Sequence, residues 1–214
     1  MLKLVKFPDP ILREKMPDFD FNDPIENPKQ LEKELIEVMI ANNGVGLAAN
    51  QVGIRTRLFV IGQGEHATAI FNPIIEDADG SDDGEEGCLS FPGVFTKVKR
   101  PSKITARWQN SDGEWQQSEI DGFACRAFLH EYDHLEGIVY QDRTSPLKWA
   151  LSLKKAKKRT NKKIYFQEDY RFDLLKNYKK CYGNLYVPKL FKISLQLYSC
   201  PCAVVSCVSA KFSC

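Results

Sequence analysis

Two of the three histidines in this 214-residue chain stand four residues apart, in His130-Glu131-Tyr132-Asp133-His134. On a helix that spacing stacks both imidazoles on one face, where they can share a metal ion. Glu131 follows the first histidine by about 100° of helical rotation, so its carboxylate lies beside such an ion rather than opposite it. From there it can accept a proton from an activated water. The remaining histidine, His66 in Gly64-Glu65-His66-Ala67, reads as a loop residue.

Two imidazoles do not complete a site. Cys88, in Glu85-Glu86-Gly87-Cys88-Leu89-Ser90, is the candidate third ligand, and the acidic turn expected at Asp82-Asp83-Gly84 places its thiol on the edge of a strand. A thiolate with two neutral imidazoles leaves one position of a tetrahedral ion for water, as catalytic sites do and structural sites do not. The plain alternative is that Cys88 is a small buried hydrophobe.

Three blocks, Gly44-Val45-Gly46-Leu47-Ala48-Ala49-Asn50-Gln51, Glu86-Gly87-Cys88-Leu89-Ser90 and His130-Glu131-Tyr132-Asp133-His134, resemble in order and separation the signature motifs of the peptide deformylase family. The opening Phe7-Pro8-Asp9-Pro10-Ile11-Leu12-Arg13 is also similar, and the resemblance extends over about residues 1–163. It implies a metal-dependent hydrolase that removes the N-formyl group from the initiator methionine of nascent polypeptides and releases formate. It implies Cys88, His130 and His134 as ligands of one divalent ion, ferrous iron foremost, with zinc, nickel or cobalt as substitutes. Glu131 becomes the general base. The side-chain amide of Gln51 and the backbone N–H of Leu89 become donors to the oxyanion. Gly44, Val45 and Gly46 become an exposed stretch of backbone against which an N-formylmethionyl peptide pairs like a strand, although the same residues suit an ordinary helix-ending turn. Glu86 and Arg100 match a family pattern in which an ion pair steadies the cysteine loop. Leu129 departs from the pattern, since the family commonly has glutamine before the first histidine.

The elements that must carry these residues follow from pattern. Asn27 caps a helix over about 28–42, Pro28 suits its first turn, Gly44 ends it, and Leu31, Leu35, Val38, Met39 and Asn42 follow helical spacing. Strands are expected at 57–61 and 69–75, and a hairpin at 103–109 and 114–120 around Asn110-Ser111-Asp112-Gly113. The metal helix starts at Asp121 or Gly122 and closes at Gly137, with Phe123, Ala127, His130 and His134 on one inward face. The fold class is α+β, with antiparallel strands packed around a central metal-binding helix.

With 43% hydrophobic residues, 27% charged residues and a net charge of +2, the composition is that of one globular catalytic domain. The opening Met1-Leu2-Lys3-Leu4-Val5-Lys6 shows neither a secretory apolar core nor an organellar lead, which points to a cytoplasmic protein. Only Cys88 and Cys125 of the seven cysteines lie in the family-like region, consistent with reducing surroundings. Residues 164–214 hold the other five and form a Cys-rich tail without family counterpart, read as poorly ordered or as an incidental extension of the reading frame. A membrane segment at Ile193 to Ala210 is weakened by Gln196 and Pro201, and a metal site from Cys200, Cys202, Cys207 and Cys214 by the lack of paired knuckles. Lys154-Lys155-Ala156-Lys157-Lys158-Arg159 with Lys162-Lys163, on a helix after Ser145-Pro146, is either a solvated face or a transient contact to ribosomal RNA through segment 154–163. Two rival functions stand beside the hydrolase. A zinc metallopeptidase would draw its third ligand from downstream, and a non-catalytic binding protein would close a structural metal site with a further cysteine such as Cys125.

Overall fold

A short, acid-capped start is followed by α1, Pro28–Ala41, whose first turn is held as expected: the Asn27 side chain accepts from the Gln30 N–H at 3.1 Å. The structure, a computed structural model, describes residues 2–159; the tail readings at 164–214 and the end of the basic run fall outside that range. The apolar stripe of α1 is Leu31, Leu35 and Met39, all buried, with Val38 half-buried and Asn42 exposed. Gly44 is not the left-handed residue that ends the helix. Asn43 takes that conformation at φ 55°, its N–H reaches Ile40 O, and Gly44 N–H reaches Met39 O. This is the paired closure in which asparagine substitutes for glycine.

Among the described residues, seven strands follow in two sheets. β1 (Gly46–Ala48), β2 (Leu58–Ile61), β3 (Thr68–Asp79), β6 (Lys103–Gln109) and β7 (Trp115–Asp121) form an antiparallel sheet in the order β1-β2-β3-β6-β7. β4 (Asp82–Cys88) and β5 (Phe91–Arg100) form a separate antiparallel ribbon. The strand expected at 69–75 runs on to Asp79, because its polar second half keeps the backbone pairing with β6 while its side chains are exposed, Glu76 pairing with Arg107 of β6 at 3.2 Å. Asp82-Asp83-Gly84 is not a turn but the start of β4.

α2, Gly122–Leu135, is buried nearly all round, as a helix enclosed by strands must be. Successive residues of β2 serve opposite faces of the sheet. Leu58 and Val60 join Leu31, Leu35 and Met39 of α1, whereas Phe59 joins Phe128 and Leu135 of α2. The sheet is therefore covered by α1 on one face and α2 on the other, which explains why β2 reads as an unbroken apolar run. α2 closes on Gly137 at φ 71°, with Gly137 N–H to His134 O and Ile138 N–H to Asp133 O; a Cβ at Gly137 would meet Arg13 O at 2.6 Å. Phe123 corrects the expected inward face. It lies in the first turn of α2, beyond the elements that cover Ala127 and His130, and is 67% exposed.

Residues 146–159 are helical, started by Ser145, whose Oγ accepts from the Lys148 N–H. Trp149 fastens this helix by packing edge-on against Phe91 and Tyr140. Lys154, Lys155, Lys157, Lys158 and Arg159 are exposed along it. Among the described residues, no helix is long and apolar enough to cross a membrane.

Candidate metal centre and cleft

α2 presents His130 and His134 from within the core, and the β4–β5 ribbon presents Cys88 from the other side. The ribbon register breaks after Gly87: Gly87 is opposite Phe95, but Cys88 is opposite Phe91. This irregularity turns Cys88 toward the helix. One ligand atom each from Cys88, His130 and His134 lies within 4.8 Å of the others, and Cys88 Sγ is 3.3 Å from His134 Nε2. Cys88 is therefore not merely a buried hydrophobe. A thiol and two imidazoles at this separation suit a small divalent cation with one coordination position left over. Cys125 lies apart, its Sγ directed to Pro101 O at 3.5 Å, and adds nothing to the cluster.

Glu131 sits against the backbone of β1, where a Cβ on Gly46 would come within 2.5 Å of its Oε1. The missing side chain at Gly46 is thus required by the carboxylate. Glu131 is 5% exposed, Oε2 has no protein partner, and burial pushes its carboxyl up to about 7. A carboxylate that titrates near neutrality can take and return protons.

Gln51 lies on a 3₁₀ turn, Ala49–Val52, rather than in a loop. Its Oε1 accepts from Ala48 N–H at 2.9 Å, which fixes the amide so that Nε2 faces Cys88 Sγ at 3.3 Å and Ser90 Oγ at 3.1 Å. Leu89 is half-buried beside Cys88, and a Cβ on Gly44 would meet its Cδ1 at 2.8 Å. Gly44, Val45 and Gly46 line one side of a cleft of about 670 Å³; Cys88, Leu89, His130 and Glu131 also line it. Of the three, Gly46 is buried and paired with Ile61 of β2, and the Val45 carbonyl accepts from Gly62 N–H. Only the outer edge of β1 is left to a peptide.

Behind the ligands lies a buried ionic network. Arg100 donates to both oxygens of Glu86, Nε to Oε1 at 2.6 Å and an Nη to Oε2 at 2.9 Å, and its other Nη reaches Asp133 Oδ2 at 2.9 Å. Glu86 Oε2 is 3.0 Å from His130 Nδ1, which leaves His130 Nε2 for the cluster. Three members were not singled out from the sequence. Arg126 donates to Glu86, to the main-chain carbonyls of Asp82, Gly84 and Val98 and to Asp82 Oδ2; Asp133 takes Arg143 as well as Arg100; and Ser90 holds Gln51. Arg126 and Asp133 were readable in principle as charges on the apolar side of a buried helix. Leu129, in place of a glutamine, buries its side chain in the core and offers its carbonyl to Arg100.

The charges set the titration. Burial would raise the Glu86 carboxyl, but hydrogen bonds from His130 and Arg100 prevail and hold it at about 2. Burial would lower His130, yet the Cys88 sulfur and Glu86 raise it to about 10, while burial and the neighbouring His130 charge drive His134 well below the ordinary histidine range. A proton on His130 and a cation at the cluster would be alternatives, because a nitrogen that holds an ion must be neutral; an ion held there would displace that proton.

An α+β domain closed around a buried His-Glu-x-x-His helix, with a cysteine completing the set and a free carboxylate beside it, defines a metal-dependent hydrolase. The chain belongs to the polypeptide deformylase family, whose model matches residues 1–150 and whose members remove the N-formyl group from nascent peptides. It is 43% identical over 157 residues to a peptide deformylase of Thermotoga sp. (strain RQ2), covering 72% of this chain and 94% of that one. The crystal structure of the Thermotoga maritima enzyme superposes with a TM-score of 0.64 at 42% identity, over 68% of this chain and 99% of that one. A probable peptide deformylase from Synechococcus phage S-SSM7 gives 0.63 at 36%, over 67% and 100%.

Proposed function

We propose that this chain hydrolyses the formamide bond of N-formylmethionyl peptides, with Cys88, His130 and His134 holding one divalent ion, ferrous iron in the cell and zinc, nickel or cobalt as substitutes. The bound ion supplies an acidified water and a positive charge at the formyl carbonyl. Glu131 accepts the proton as the water oxygen bonds to the formyl carbon, then delivers it to the amine as the C–N bond breaks, leaving formate and a free N-terminus. Gln51 Nε2 and the Leu89 N–H donate to the oxyanion; the Gln51 amide is fixed through Oε1, and one of its N–H groups turns from Cys88 Sγ or Ser90 Oγ to do so. The peptide extends along the outer edge of β1 at Gly44 to Gly46. Glu86 and Arg100 hold the cysteine loop and the His130 ring.

The observation that carries this reading is Glu131: a buried carboxylate with one oxygen unpaired, beside the three ligand residues and open to the cleft. Formate release from a formyl-Met peptide should fall by about 10²–10⁴-fold in Glu131→Ala while the metal content stays at one per chain. Undiminished turnover would sink the assignment.

We further place the end of the catalytic domain near residue 163, the chain in the cytoplasm, and the basic segment 154–163 in transient contact with ribosomal RNA. The run of exposed lysines supports this contact. Ribosome binding should weaken steeply with added salt.

A further inference from the structure

Asn50 is fully buried on the 3₁₀ turn that also carries Gln51, and its amide orientation is fixed by two main-chain carbonyls. Nδ2 donates to His134 O at 2.8 Å and to Ile11 O at 3.5 Å. Since both neighbours are acceptors, the amide nitrogen and oxygen cannot be exchanged. Oδ1 is left without a protein partner. Across the same 2.8 Å bond, His134 is 1% exposed and its Nδ1 also has no partner. His134 turns Nε2 toward Cys88 Sγ, so Nε2 must offer its lone pair to an ion and the ring proton belongs on Nδ1. Two residues already joined by a hydrogen bond therefore leave one buried donor and one buried acceptor, complementary in kind.

The contrast with His130 makes the pairing informative. His130 Nδ1 is held by a carboxylate, Glu86, at 3.0 Å. A metal-ligating histidine ordinarily donates its second nitrogen to some fixed acceptor, which sets tautomer and ring orientation. For His134, the unpaired buried acceptor on a residue already hydrogen-bonded to it is Asn50 Oδ1.

We propose that Asn50 is the positioning residue of His134: Nδ2 fastens the carbonyl in the closing turn of α2, and Oδ1 receives the Nδ1 proton through one buried water. Such a water needs two or more polar partners, and these two atoms provide them. The inference rests on the metal reading above. It makes Asn50, which touches neither substrate nor ion, a determinant of metal retention.

Two substitutions separate the arms. Asn50→Leu removes both at similar volume, and Asn50→Asp keeps an acceptor while removing the donor to His134 O. The full-length wild type and variants are loaded with Co²⁺, release into EDTA is followed by the loss of Co²⁺ absorption, and Tm is measured on the metal-free forms. Asn50→Leu should release Co²⁺ about 10- to 100-fold faster. Asn50→Asp should release it no faster than wild type, although both variants melt earlier. Should Asn50→Leu fail to fold, Asn50→Ala removes both arms with less strain and carries the same expectation. Release at the wild-type rate in the variants without an acceptor, or release that follows the loss of Tm in all variants, overturns the proposal and leaves Asn50 a fastening between the 3₁₀ turn and α2. Failure of the wild type to take up one Co²⁺ per chain, or uptake unaffected by His134→Ala, overturns the metal reading instead.

Discussion

α2 and the β4–β5 ribbon each deliver part of one site, but they are held by different physics. α2 is enclosed by apolar packing from Phe59, Ile104 and Val139, so its histidines are positioned by a core that is close-packed on several sides. The ribbon is a separate sheet that sends only Phe91 and Val98 fully into that core, and Cys88 stands at a break in its register. Around Cys88, what ties the ribbon to the helix beside that packing is charge: Glu86 gathers Arg100, Arg126 and His130, and Arg100 spans to Asp133 on α2. Packing resists displacement in all directions, whereas a buried ionic network resists it only while every partner is present.

The largest effect should therefore come from removing the spanning charge. Arg100→Met leaves Glu86 with Arg126 and His130, and Asp133 with Arg143 alone, in surroundings where Arg100 and Glu86 are each 4% exposed. Loss of one partner of such a pair costs about 3–5 kcal/mol. Urea unfolding should report that loss, and metal release should accelerate as well. A variant with wild-type stability and retention would show that packing holds the ribbon after all.

Two of the buried carboxylates, Glu86 and Glu131, offer an opposite pair of pH responses in the metal-free protein. Glu86 is held at about 2 in the fold against 4.5 unfolded, so its contribution is complete above pH 4.5 and is lost as pH falls through about 2. The stability gap between wild type and Glu86→Gln, on the order of 3 kcal/mol by linkage, should narrow over that window. Glu131 is raised to about 7, so the fold favours its neutral form, and stability drains as pH rises from 4.5 toward 7. Glu131→Gln should remove that decline. Unfolding curves between pH 2 and 8 distinguish the two, and parallel curves would contradict the contrast between ribbon and helix.

The same contrast explains what the sequence disclosed. α2 was legible in full because His130, His134 and Gly137 announce spacing and closure locally, and α1 because Asn27 and Pro28 mark its start. Of the ribbon, only a strand presenting Cys88 was legible, and its extent and partner were not. β4 reads Asp-Asp-Gly-Glu-Glu-Gly-Cys and β5 opens on Phe-Pro-Gly, compositions that local strand preference disfavours. Their stability lies between the strands, where Asp82 faces Arg100, Asp83 faces Lys99 and Glu85 faces Lys97, and pairing across a register cannot be seen from either segment alone. β1 escaped for a related reason, since three residues carry no period and Gly46 is kept bare by a carboxylate 85 positions later. Phe123 obeyed the helical period but not the burial, because periodicity does not say where the covering elements stop.

A modest probe of the packed side is Ile104→Val, which removes one methyl from the cluster that encloses α2. It should cost about 0.5–1.5 kcal/mol in urea unfolding and leave Co²⁺ release unchanged, because a packed core spreads a small void over many contacts. Faster release would mean that the helix transmits even slight slack to its histidines.

The smallest effect tests the ribbon itself. On β5 the inward residues Thr96, Val98 and Arg100 are buried, whereas Lys97 and Lys99 are exposed and face Glu85 and Asp83 across the ribbon. Exposed pairs of this kind are weak and screened by salt. Lys97→Glu sets two carboxylates opposite each other and should cost about 0.2–1 kcal/mol, with Glu85→Lys in the same chain restoring most of it. The interaction term from that double-mutant cycle should shrink as salt is raised. The more telling readout is the metal: Glu85 precedes the Glu86 clasp by one residue and Cys88 by three, so fraying that stops at the clasp leaves Co²⁺ release untouched. Release that rises with the charge reversal and recovers in the double variant would show that the exposed ladder, and not only the buried network, sets the position of Cys88.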